Sequence, residues 1–146
     1  MPNAVLNPYP MQLIDEGDRI VQRIEEWDAR RVIYMTDDVP SEPETPAHLG
    51  VSVGRLEGST LIVETTYVDF PLLDGDGTPM SPEAEILERY QLNEDGTRLA
   101  YEVIVTDPVN LVEPAIWENT WVYRPGTEVR SFECTLRDTV SPVYQQ

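Results

Sequence analysis

The chain has no lysine: all ten of its basic residues are arginine, set against 27 Asp and Glu, for a formal net charge of −17 over 146 residues. The missing lysine excludes Schiff-base catalysis and a phosphate-loop lysine. The charge balance disfavours nucleic acid and anionic membrane surfaces, which reward cationic neutralisation of phosphate. There is one His and one Cys. A Cys/His zinc site within the chain is therefore excluded, and any hydrolytic triad has a single candidate base, His48. No run of 18 apolar residues suggests a membrane span. The first ten residues lack a basic stretch followed by an apolar one, so no signal peptide is expected in them. Neither metal nor organic cofactor is expected. The turn Asp74-Gly-Asp-Gly77 lacks the calcium-loop spacing and its closing Glu.

What is present is a hydrophobic fraction of 40%, enough for one packed domain over residues 1–146. Residues 1–9 read as an extended N-terminal segment and 138–146 as a loose tail. Apolar side chains alternate with polar ones in short runs, the period of half-buried strands. Strands are expected at 11–15, 19–27, 31–35, 50–56, 60–68, 99–105, 116–123 and 129–136. Glu57-Gly-Ser59 marks a hairpin between two of them. Residues 36–46 carry Pro40, Pro43 and Pro46 and read as a loop. Ser81-Pro-Glu-Ala84 has the form of a helix start, so a short helical segment near 81–88 is expected to give way to a further strand before 93. About nine antiparallel strands then suggest a mainly β, single-barrel architecture.

The run Gly50-Val-Ser-Val-Gly-Arg-Leu-Glu-Gly-Ser-Thr-Leu-Ile-Val-Glu-Thr65 resembles a Gly-x-Ser-Val-Gly-Arg-Trp-Glu-Gly-Asp-Thr-Leu-Val-Val-Asp/Glu-Thr block of a family of small bacterial proteins. Asn7-Pro-Tyr-Pro-Met11, Arg31-Val-Ile-Tyr34, Glu88-Arg-Tyr90, Thr106-Asp-Pro108 and Phe132-Glu-Cys134 resemble further blocks in the same order. The resemblance spans residues 7–136 and implies a lipocalin-like (calycin-like) β-barrel, without an activity. It departs at Val51 and at Pro79-Met-Ser81, where many members carry histidine. It also implies that Cys134 pairs with a cysteine upstream of Met1, and it allows a periplasmic or secreted location after processing.

Three residues are candidates for acid–base chemistry. His48 is the only side chain that ordinarily titrates near neutrality. Glu64 lies in an apolar run, where it either faces water or enters the interior; its natural partner is Arg55 on the other hairpin arm. Tyr34 is the third. Arg89 could clamp a carboxylate or form a salt bridge within the chain. Tyr67, Tyr90, Tyr101, Trp117 and Trp121 suit either a ligand pocket or an ordinary core. These residues favour a barrel that holds an apolar or aromatic small molecule. A cofactor-independent lyase, isomerase, cyclase or decarboxylase is the first alternative, and an interaction module or homodimer the second.

Overall fold

The computed structural model describes residues 9–36, 39 and 48–132. Eight strands form one sheet in sequence order: β1 (Met11–Asp15), β2 (Arg19–Ile24), β3 (Arg30–Tyr34), β4 (Val51–Glu57), β5 (Thr60–Thr66), β6 (Glu85–Leu92), β7 (Arg98–Thr106) and β8 (Ala115–Val122). All neighbours are antiparallel except β3 and β4. Short turns dictate this meander. Between β4 and β5 the turn is Glu57 to Thr60, as the glycine in the hairpin loop requires. The parallel β3–β4 step follows the long proline-bearing connection, and its ladder has only two registered pairs, Ile33 with Ser52 and Tyr34 with Val53.

The sheet curls into a half-barrel. The expected closed barrel is not formed: among the described residues no ladder joins β8 to β1. A ninth strand is also absent there. Of its expected span 129–136, residues 129–132 are irregular and the rest lies outside the described residues. So do Cys134, residues 1–8, most of the 36–46 loop and the tail.

The helical segment expected near 81–88 is replaced by a turn at Pro82 and Glu83 and then by β6. Strand geometry wins because Ile86, Glu88 and Tyr90 alternate onto one buried face, opposite Thr65, Val63 and Leu61 of β5. A helix would have turned them away from β5. Among the described residues the one helical stretch is a 3₁₀ turn at Glu26–Asp28, ending the expected 19–27 strand early. There Trp27 and Asp28 have φ of 60° and 49°, a left-handed conformation costly for a large side chain.

The register defines an inner face. Ile33, Leu61, Val63, Ile86, Tyr90, Tyr101, Val103 and Val105 are buried on it. The loop from β5 to β6 folds Val68, Leu73, Met80 and Ala84 into the same core, which closes the end of the half-barrel where β6 begins. Asp107 ties this loop to the exit of β7. It accepts from the Ser81 backbone N–H and hydroxyl, both at 2.7 Å, and from Asn110 Nδ2 at 3.0 Å. Burial alone raises the Asp107 pKa, but these donors together hold it well below the usual carboxylate range.

Among the described residues the opposite end, where β6 finishes at Leu92, is open. After β8 the chain crosses back to the start of the sheet. Arg130 N–H donates to Glu25 at 3.1 Å, and Phe132 N–H donates to Asp28 at 3.0 Å. The Phe132 ring packs on Trp27, with centroids 5.0 Å apart. This docking accounts for the strained 3₁₀ turn, since Asp28 presents its carboxylate to the returning chain.

Gly50 marks the closed end, with φ +71° and no room for a side chain: a Cβ would lie 2.5 Å from the Thr66 carbonyl oxygen. Gly50→Ala is expected to destabilise the fold by about 1–3 kcal/mol. Gly58→Ala shares the positive φ but meets nothing within 4 Å, so it should cost about 1 kcal/mol. Urea denaturation of the two variants measures the difference.

Candidate functional site

Two arrangements of polar groups on the inner face stand out, a buried network in the middle and a cavity at the open end. The network centres on Arg31 and Glu88, whose side chains are 2% and 0% exposed. β3 places Arg31 two residues before Ile33, in the inward phase, and β6 places Glu88 between inward Ile86 and Tyr90. The guanidinium meets the carboxylate in a two-pronged geometry: Nη1 donates to Oε2 at 2.7 Å and Nη2 to Oε1 at 2.8 Å. Glu88 Oε1 also accepts the hydroxyls of Tyr90 and Tyr101, each at 2.8 Å. Arg31 Nε donates to Gln22 Oε1 at 2.6 Å, and Gln22 Nε2 donates to the Tyr90 oxygen at 3.2 Å. Ser52 and Thr65 hydroxyls lie 2.8 Å apart beside Arg31 Nη1. Six consecutive strands, β2 to β7, thus contribute to one network.

Burial pulls the Arg31 guanidinium pKa down, but the charge of Glu88 and its hydrogen bonds outweigh that and the net shift is upward. Burial also pushes the Tyr90 and Tyr101 phenols far up, and Glu88 beside them adds to the effect. These groups therefore hold their protons. The geometry builds a rigid, satisfied core and leaves no poised acid or base.

The cavity measures about 760 Å³. Met11 and Leu13 of β1, Leu92 at the end of β6, Leu99 of β7 and Trp121 of β8 contribute its apolar lining, and the returning residues 123–129 complete it. The curl therefore brings β1 and β8 to opposite walls of one space. Trp121 stacks on Tyr101 at 5.0 Å between centroids. Among the described residues its Nε1 has no hydrogen-bond partner.

The other expected site residues are dispersed. Glu64 faces outward, and Arg55 Nη1 donates to it at 2.5 Å. Both are more than half exposed, so Glu64 is not the interior carboxylate; Glu88 is. Tyr34 also lies on the outer face. It flanks Val53 on the side opposite Glu64, two strand spacings or about 10 Å away. Arg89 pairs with Glu102 on that outer face and not with an interior ligand. His48 and Tyr67 belong to the closed end. His48 Nδ1 lies 2.7 Å from the Asp69 carbonyl, which can only accept, so Nδ1 carries the proton there. Tyr67 is half exposed with φ 56°. Trp117 packs against the core beside Val103. Glu64, His48 and Tyr34 therefore do not share a site, whereas Tyr90, Tyr101 and Trp121 are contiguous. Among the described residues no three His, Cys, Asp or Glu side chains cluster as a metal-binding set, and no helix is long and apolar enough to cross a membrane.

Comparison with protein-family models, curated proteins and solved structures finds no match to this chain.

Removing one partner of the network strands a buried charge. Arg31→Met and Glu88→Gln should each destabilise the fold by about 3–5 kcal/mol. The double variant Arg31→Met/Glu88→Gln should lose much less than the sum of the two, as a denaturation-based double-mutant cycle measures. The phenols supply a pH signature. Their pKa values are raised in the folded state, so their contribution to stability is full below the ordinary tyrosine pKa of about 10 and is lost as pH rises beyond it. Absorbance at 295 nm should show two of the seven tyrosines ionising only together with loss of near-UV circular dichroism.

Proposed function

We propose that the chain is a small-molecule binding protein that takes an apolar or aromatic ligand into the open end of its half-barrel. The cavity carries this reading. Its volume of about 760 Å³ lies within the range of small-ligand sites, roughly 300–1,000 Å³. Its walls combine Leu, Met and Trp side chains with a few polar groups from the rim. Of its walls, the Trp121 indole is backed by Tyr101, which the Arg31–Glu88 network holds in place.

A cofactor-independent enzyme has weaker support. The interior carboxylate, Glu88, is surrounded by four donated hydrogen bonds. The cavity lining holds a single carboxylate residue, Glu128, on the exposed returning segment. General acid–base catalysis needs a group within hydrogen-bond reach of the reacting proton. The lining offers less for that step than for binding.

The test is thermal unfolding and ¹H–¹⁵N spectroscopy with neutral probes, 2-naphthol and decanol. Each is expected to raise the unfolding temperature in proportion to its occupancy and to move the Trp121 indole signal while leaving that of exposed Trp27 in place. Leu13→Trp, which fills the cavity from β1, should abolish both effects. The reading fails if neither these probes nor their carboxylic-acid counterparts change the unfolding temperature or the Trp121 signal at millimolar concentration.

A further inference from the structure

The sign of charge around the cavity runs against that of the molecule. Over the whole chain acids outnumber bases 27 to 10. The cavity lining holds two arginines, Arg98 and Arg124, and one acid, Glu128. Elsewhere Arg19, Arg31, Arg55 and Arg89 are each committed to a carboxylate. Arg124 is in no ion pair among the described residues, and Arg98 lies near Asp95 without forming one at contact distance. Arg23, Arg30 and Arg130 are likewise in no ion pair among the described residues, so what sets Arg98 and Arg124 apart is their place: both line the cavity, where they outnumber its one described acid.

The neutral polar residues of the rim agree with this. Gln12, Thr97 and Thr127 can all donate hydrogen bonds. The lining is thus rich in donors and cations at its edge and apolar at its floor. Resting on the reading of this cavity as a ligand site, we infer that its ligand is an amphipathic carboxylate: an aryl or medium-chain alkyl acid whose hydrocarbon lies against Leu99 and Trp121 and whose carboxylate meets Arg98 and Arg124. Guanidinium suits this role because it stays charged and can donate two parallel hydrogen bonds to one carboxylate. The acidic surface elsewhere then contributes to selectivity, since it repels an anion everywhere except at this opening.

The experiment compares matched pairs on the full chain at pH 7: 2-naphthoic acid against 2-naphthol, and decanoic acid against decanol, by isothermal titration at 20 mM and 500 mM NaCl. The acid of each pair is expected to bind about three- to tenfold tighter at low salt, with the preference shrinking at high salt. Arg98→Gln and Arg124→Gln should each reduce acid affinity about threefold while leaving the affinity of the neutral probe and the unfolding temperature unchanged. Equal or tighter binding of the neutral member, or an acid preference that survives both substitutions, overturns the carboxylate inference and leaves the cavity as an apolar ligand site. Failure of all four probes to bind overturns the binding function itself.

Discussion

The structure depends on one buried ion pair. Arg31 and Glu88 are separated by 57 residues in sequence and meet in two parallel hydrogen bonds at the centre of the inner face. Their position explains their value. The β3–β4 step is the weakest seam of the sheet, with two registered pairs where the other ladders have at least five. Arg31 stands on one side of that seam, while Ser52, Thr65 and Glu88 stand on the other. The network therefore supplies, through side chains, the cross-linking that the backbone supplies poorly there. It also fixes register. A slip of β6 by one residue would turn Glu88 outward and bring Arg89 inward, leaving two buried arginines facing each other.

Such a pair is an expensive way to hold a sheet, because two charges must leave water. The surrounding donors and acceptors make it tolerable. Glu88 accepts from two phenols as well as from Arg31, and the Tyr90 hydroxyl in turn accepts from Arg31 and Gln22. The phenols are aromatic walls as well as donors, so the centre of the half-barrel is filled as well as satisfied. This is why the interior expected to hold a ligand is packed at its centre, while the cavity lies where β6 ends.

Much of the sheet is legible in the alternation of the sequence, because a strand with one buried face must repeat every two residues. The 56–61 hairpin and the strong strands of residues 60–66 and 98–106 follow from that rule. The failures have local causes. Ser81-Pro-Glu-Ala84 carries the chemistry of a helix cap, yet the inward alternation of Ile86, Glu88 and Tyr90 against β5 overrides it. Glu64 sits in an apolar run because its outward neighbour Ile62 is itself buried, 4% exposed, beneath the ion-paired arginines of the outer face. The signal that identifies Glu88 and Arg31 is finer: each is a charge at an apolar phase of its strand. Reading that phase requires knowing which face is inner, and pairing the two requires the topology of six strands. The cavity at the open end is less legible still, since curvature and the return of residues 123–132 create it.

The network and the cavity are mechanically joined through two rings. Tyr101 donates its hydroxyl to Glu88 and turns its face to Trp121, whose indole lines the cavity. Tyr101 cannot shift without giving up a hydrogen bond to a buried carboxylate, so it offers Trp121 a fixed backing. Among the described residues the Trp121 Nε1 has no such partner. Tyr101 thus gives the inner end of the cavity a fixed wall where it meets the core. Closure of β8 onto β1 would complete the barrel but would also bring together the two strand edges that now form opposite walls of the cavity. An open half-barrel needs an internal clamp to hold its curvature, and the buried pair between Arg31 and Glu88 supplies it.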